Sequence, residues 1–230
     1  MSPVDEIVSH LRSLANPDNV AGMKRFAVGG RNTLGIPIPT LRRMAKEIGR
    51  DHKIAAGLWK TGIHEARILA SMVDDPALVT ERQMEDWVAD LDSWDVTDQV
   101  CMNLFEKTAL AWMKAIEWAG REGEFQKRAG FALMACLGWH DKKSPASRFA
   151  PFFPVIEEQA DDARNFVKKA VSWALRNMGK RDRTLNELAI ATAKRIEKRD
   201  TRAARWVAKD ALRELTGEKV QGRLTGPHYR

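Results

Sequence analysis

The sequence predicts an all-α fold, a superhelical stack of antiparallel helix pairs with a concave basic groove. Three observations carry that expectation. Nearly every segment of the 230 residues has helical period, with no alternating β-type run and no Asn-Gly hairpin signal. The helical segments are short and bounded by start and stop residues. Three of them also resemble one another: Lys127-Arg128-Ala129-Gly130-Phe131-Ala132-Leu133, Lys168-Lys169-Ala170-Val171-Ser172-Trp173-Ala174-Leu175 and Val207-Ala208-Lys209-Asp210-Ala211-Leu212. Their Ala-Leu pairs begin at 132, 174 and 211, a spacing near 40 residues. Short helices recurring at that period match repeats of the HEAT or armadillo kind, whose concave side is the usual binding surface.

Helices are expected over 3–15, 18–28, 39–49, 51–61, 63–74, 81–92, 94–106, 108–121, 123–140, 146–160, 163–179, 183–198 and 202–216. Pro39 opens one after the Gly35-Ile36-Pro37-Ile38 loop, and Asp74-Asp75-Pro76 closes another. Ser93 is the expected N-cap of the helix that starts at Trp94. Gly179 ends a later helix, and Asp182 or Arg183 precedes the next. No composition break divides the chain, so residues 1–216 read as one repeat domain with residues 1–34 as an N-terminal helical cap. Residues 217–230 hold three glycines and a proline and read as a flexible tail.

Charge is unevenly placed. The chain has 38 Lys and Arg against 31 Asp and Glu, a formal +7. Residues 1–120 hold 14 basic and 17 acidic residues, whereas residues 121–230 hold 24 and 14. Such asymmetry points to a polyanionic surface for the second half, although solvated helix faces account for charge equally well. No apolar run is long enough to span a bilayer and the amphipathic N-terminus has no signal-peptide core, so a soluble cytoplasmic protein that does not engage membranes is expected. The two cysteines, Cys101 and Cys136, read as small core residues, and no zinc-type Cys/His spacing occurs. Phosphate-binding Walker loops, dinucleotide glycine fingerprints and Gly-x-Ser-x-Gly elbows are likewise missing from the sequence.

Ser93-Trp94-Asp95-Val96-Thr97-Asp98-Gln99 is the segment with the clearest chemistry. Trp94 and Asp98 are one helical turn apart and share a face, which Cys101 and Phe105 extend. Val96, Val100 and Leu104 line the other side. A helix apolar on both sides is buried, and a carboxylate there needs a partner or a task. Asp95 lies in the first turn, where negative charge suits the helix dipole, and reads as structural. His64 and Glu65 read as first-turn residues of their own helix.

The Trp173 segment combines an indole with cations. Val167, Val171, Ala174 and Met178 form its core stripe, and Lys169, Arg176 and Lys180 a basic stripe beside Trp173. A tryptophan so placed either stacks on a nucleotide while its neighbours bind phosphate, or packs between helices. Arg128 stands near Ala132 and Ala135, small residues that would let a phosphate approach; the alternative is an ion pair with Glu124. Arg42 with Arg43, Lys142 with Lys143, Arg181 with Arg183 and Arg202 with Arg205 are further candidates for backbone contacts. Trp59, Trp87, Trp112, Trp118 and Trp206 fit amphipathic stripes and read as core or rim.

These residues resemble the AlkD-like DNA alkylation repair family, the HEAT-like-repeat DNA glycosylases. The resemblance runs from about Gly35 to Glu214. It is carried by Gly35-Ile36-Pro37-Ile38-Pro39-Thr40-Leu41-Arg42, Gly62-Ile63-His64-Glu65-Ala66-Arg67 and Asp92-Ser93-Trp94-Asp95-Val96-Thr97-Asp98. Phe125-Gln126-Lys127-Arg128-Ala129 and Asn165 to Arg176 complete it. It implies an active cleft in which Asp98, Trp94 and Trp173 are catalytic and Arg128 holds a phosphate. The family often has two consecutive tryptophans, and Ser93 stands here in place of the first. The implied reaction is hydrolysis of the N-glycosidic bond of a cationic N3- or N7-alkylpurine in duplex DNA, by a monomer, without a metal or organic cofactor. Location at the nucleoid when bound to DNA would follow. Two other readings stand beside it: a non-catalytic, structure-selective DNA-binding protein, and a scaffold for an acidic protein partner.

Overall fold

In the computed structural model, which describes residues 2–29 and 32–224, every regular element is helical. The chain forms two compact units, one ending at Leu110 and the other beginning at Ala111. No glycine- or proline-rich linker stands at that junction, which is why composition alone suggested a single domain.

The first unit contains α1 (Pro3–Ser13), α2 (Pro17–Lys24), α3 (Ile38–Ile48), α4 (His52–Lys60), α5 (His64–Val73), α6 (Glu81–Ala89) and α7 (Trp94–Asn103). α5 is its central element, packed against α4 on one side and flanked by α3 and α7. It buries eight of its ten residues, including His64, Glu65, Ser71 and the aliphatic Ile68, Leu69 and Val73. α7 buries one face, Val96, Thr97, Val100 and Cys101, while Trp94, Asp95, Asp98, Gln99, Met102 and Asn103 are part-exposed, which corrects the expectation of a helix buried on both sides. Trp59 and Trp87 stack face to face with ring centroids 4.0 Å apart, and the Trp59 Nε1–H donates to Asp90 Oδ2 at 2.9 Å. A stack of this kind adds about 1 kcal/mol beyond the area it buries.

Side-chain caps fix where several helices begin. Asp51 accepts from the amides of Lys53 and Ile54, Thr80 from Gln83 and Asp182 from Leu185. Ser93 occupies the N-cap position of α7 with extended backbone, but its side chain makes no capping bond. Its carbonyl oxygen instead accepts from the Thr97 hydroxyl at 2.7 Å.

The second unit contains α8 (Ala111–Ala119), α9 (Glu124–His140), α10 (Ala146–Phe149), α11 (Phe152–Glu158), α12 (Asn165–Gly179), α13 (Arg183–Glu197), α14 (Arg202–Leu215) and α15 (Glu218–Leu224). The three similar sequence segments fall on α9, α12 and α14, and α12 packs against both of the others. α8 pairs with α9 and α13 with α14, each across a short turn, so the repeat seen in the sequence is a repeat of helix pairs. Close packing at Gly130 joins α8 to α9: a Cβ there would stand 2.8 Å from the Ala115 carbonyl oxygen and nearer still to the Ala119 nitrogen. No helix of the described residues is long and apolar enough to cross a membrane.

Two further expectations need correction. The helix expected over 146–160 is broken at Ala150-Pro151, where proline brings no amide donor and the chain restarts as α11. The tail expected to be flexible from residue 217 instead forms α15 over Glu218–Leu224. Val220 and Leu224 are buried, and Gln221 donates to Asn186 Oδ1 at 3.0 Å and to the Leu215 carbonyl at 2.7 Å. Two apolar residues one turn apart outweighed the glycine content. Residues 225–230 of that tail lie outside the described residues.

Candidate functional site

The first unit presents Trp94 and Asp98 together. Both are half-buried, on the open side of a helix whose opposite face, Val96, Thr97, Val100 and Cys101, is sealed. The Trp94 indole N–H donates to the Phe26 carbonyl oxygen at 3.3 Å, so the loop after α2 holds the ring from one side. Trp94 also closes an apolar pocket of about 590 Å³ lined by Met23, Phe26, Val28, Gly35 and Ile36. Phe26 is 75% exposed, an unusual position for a large apolar ring.

The residue after Trp94 makes a second tie, to α5. Asp95 Oδ2 lies 2.7 Å from His64 Nε2, with His64 almost wholly inaccessible. Burial alone would push the His64 imidazole down, but the Asp95 carboxylate, with Glu65 and Asp92 nearby, outweighs it and leaves the pKa raised. Burial likewise opposes ionisation of Asp95, yet His64 holds its carboxyl below the ordinary range. The 2.7 Å contact ties the first turn of α7 to the first turn of α5. Glu65, the neighbour of His64, accepts three backbone N–H groups: Leu34 at 2.8 Å, Gly35 at 2.6 Å and Ile36 at 3.3 Å. It acts as a cap for a loop about 30 residues away, the same loop that lines the Trp94 pocket. Gly35 has φ +80° there, and a side chain would run into the Asn16 carbonyl.

The predicted cations differ in their surroundings. Arg128 is only 6% exposed, and its Nη1 donates to the Phe166 carbonyl at 2.6 Å, joining α9 to the start of α12; the Glu124 partner weighed from sequence is not what this bond uses. Arg176 and Lys180 both reach α14. Arg176 lies 2.5 Å from Glu214 Oε2 and 3.3 Å from Asp210 Oδ2, and Lys180 lies 2.8 Å from Glu214 Oε1. Although burial opposes its ionisation, these two cations draw the Glu214 carboxyl below the ordinary range. Much of the basic stripe is therefore neutralised within the fold. Lys169, Arg42 and Arg43 are exposed, the first on α12 and the others on α3.

Trp173 is half-buried and lines a pocket of about 390 Å³ with Gly138, Trp139, Lys142, Asn177, Lys180, Arg181 and Arg223. Arg181 is held by the Ser144 carbonyl at 2.6 Å, and its guanidinium lies 4.4 Å from the centre of the Phe149 ring. Arg223, from α15, donates to the Lys180 carbonyl. Sequence reasoning missed Trp139 and Arg223 as companions of Trp173. Trp139 falls one turn beyond Ala135 on the face noted for Arg128, whereas nothing local marks Arg223. Among the described residues, no cluster of His, Cys, Asp and Glu could hold a metal ion.

The chain matches the family of DNA alkylation repair enzymes over residues 7–215. No curated protein matches it. Among solved structures it is similar to one described as "A new family of proteins related to the HEAT-like repeat DNA glycosylases with affinity for branched DNA structures". The TM-score is 0.76 at 19% identity, covering 97% of this chain and 96% of that one. That likeness shows an all-helical fold shared along nearly the whole length. A family match spanning almost the entire chain decides the classification: this protein belongs to the DNA alkylation repair enzyme family.

Proposed function

We propose that the protein is a DNA glycosylase that removes cationic N3- or N7-alkylpurines from duplex DNA, acting as a monomer. The observation that carries the reading is the part-exposed Trp94–Asp98 pair, one turn apart on the open face of α7, in a chain of this repair family. Alkylation gives the purine a positive charge and weakens its bond to C1′. As that bond breaks, its electron pair leaves with the base, which becomes neutral, and positive charge builds on the deoxyribose. Asp98 would stabilise that charge and orient the water whose oxygen bonds C1′ and whose proton passes to the carboxylate or to solvent. Trp94 offers a π face to the cationic sugar or base, and Trp173 is proposed as a second catalytic aromatic residue. Arg128, fixed by the Phe166 carbonyl, is the proposed phosphate contact. Lys169, Arg176, Lys180, Arg181, Arg42 and Arg43 are the proposed contributors to backbone affinity, with Arg176 and Lys180 reduced by their bonds to Glu214.

The test is release of 7-methylguanine or 3-methyladenine from methylated duplex. Asp98→Asn, nearly isosteric, should lower the rate about 10²- to 10³-fold, as loss of other electrostatic groups does, while leaving DNA affinity in place. A wild-type protein that binds DNA and releases no base supports the second reading, a structure-selective binder. The described affinity of the structural relative for branched DNA favours that alternative over a protein scaffold.

A further inference from the structure

The pocket around Trp173 is built for more than one aromatic contact. Its wall carries two indoles, Trp139 and Trp173, and four cations, Lys142, Lys180, Arg181 and Arg223, with no carboxylate among the lining residues. Nearby acids offset part of that charge, at Lys180 and Arg181. Glu214 is shared between Lys180 and Arg176, and Asp182 lies 3.9 Å from Arg181. Asp141 is bound by Ser144 and the amide of Lys143. Burial, with Arg181 and Arg223 close by, pushes the Lys142 ammonium below its ordinary pKa, the mark of a cation crowded by others. Trp139 is 52% exposed, with its outer surface available and its ring stacked on His140 at 4.4 Å. At about 390 Å³ the space is at the small end of ligand sites, enough for one nucleotide unit and too small for a base pair.

We propose that this pocket, completed by Arg223 of α15, holds one unpaired nucleotide of a DNA strand, its base on Trp139 and its phosphate among Lys142, Arg181 and Arg223. Base-on-indole stacking with a cationic cradle is the general chemistry of single-strand recognition. The role deepens the DNA-binding part of the proposed function and is independent of excision.

The test compares a blunt duplex with the same duplex bearing a short 5′ single-stranded overhang, by fluorescence anisotropy at fixed salt. Wild-type protein should bind the overhang substrate at least about fivefold more tightly, the lower end of what one stacked base contributes. Trp139→Ala and Arg223→Gln should each abolish that preference and leave blunt-duplex affinity within about twofold. Trp206→Ala, at another part-exposed tryptophan that does not line the pocket, should change neither. Circular dichroism melts identify any variant that fails to fold, and the lone Trp139→Ala truncation at an exposed ring keeps the test available if Arg223→Gln unfolds α15. Overhangs with and without a terminal phosphate tell a strand end from an internal nucleotide, and a preference with either supports the site. Equal affinity of wild type for the two substrates, or equal loss on both with Trp139→Ala, overturns the proposal. Base release is measured separately, so a missing excision activity leaves this result standing.

Discussion

Replacing Glu65 with alanine should destabilise the first unit severely. The carboxylate is 1% exposed and receives the amides of Leu34, Gly35 and Ile36 at 2.8, 2.6 and 3.3 Å. A hydrogen bond to a charged acceptor contributes about 1.5–3 kcal/mol. The longest of the three is weak and Leu34 is near solvent, so the loss should be about 4 kcal/mol rather than the full sum. That is a large share of the 5–15 kcal/mol of a typical domain. Glu65→Gln keeps an acceptor for two of the amides and turns an NH₂ toward the third, so it should cost about 1–3 kcal/mol. Urea unfolding followed by tryptophan fluorescence gives the stability, and hydrogen exchange of residues 32–37 gives the local effect. Because Gly35 and Ile36 line the Trp94 pocket, excision should fall in step with loss of protection in that loop. A loss below about 1 kcal/mol, with exchange unchanged in residues 32–37, would refute the view that this buried carboxylate organises the loop.

Other outcomes follow from the same geometry. The His64–Asp95 pair should stabilise the fold most between the two groups' ordinary pKa values of 3.8 and 6.5. The raised His64 contributes fully below its unfolded pKa and is lost as pH rises through its folded one, and the lowered Asp95 contributes above its unfolded pKa and is lost as pH falls. The stability gap between wild type and Asp95→Asn should therefore be larger near pH 5.5 than at pH 8.5, read by urea titration. Gly130→Ala should cost about 1–3 kcal/mol by forcing α8 and α9 apart, whereas Gly22→Ala, with open space around it, should be neutral or stabilise by up to about 1 kcal/mol; thermal melts compare the two. Lys169→Ala should leave the melt unchanged and reduce the salt slope of duplex binding by about one, since it is an exposed cation on α12.

Much of the fold was legible because helix periodicity is a local property. The stripe Val167, Val171, Ala174 and Met178 is fully buried, whereas α7, expected to be sealed on both sides, buries only the face of Val96, Thr97, Val100 and Cys101. Trp59, Trp87 and Trp118 are core residues, whereas Trp206 is 37% exposed under the Lys168 ammonium, a rim position. The candidate site was legible only where its parts share a helix, as Trp94 and Asp98 do. His64 and Glu65 looked like ordinary first-turn residues, because nothing within one turn of either shows that Asp95 and the Leu34–Ile36 amides will meet them. The basic stripe was correctly located, but its neutralisation by Asp210 and Glu214 depends on α14 packing beside α12.

The amino-acid order by itself determined which segments coil, which face of each is apolar, and that the second half carries the positive excess. Those properties depend on residues within a few positions of one another. Tertiary structure alone decided which charges are cancelled and which stay available, that α15 docks instead of trailing, and that Trp139 and Arg223 join Trp173 around one cavity. Electrostatic and hydrogen-bond energies fall away over a few ångströms, so they are set by which surfaces touch, and contacts across 30 to 40 residues exist only once the helices have packed.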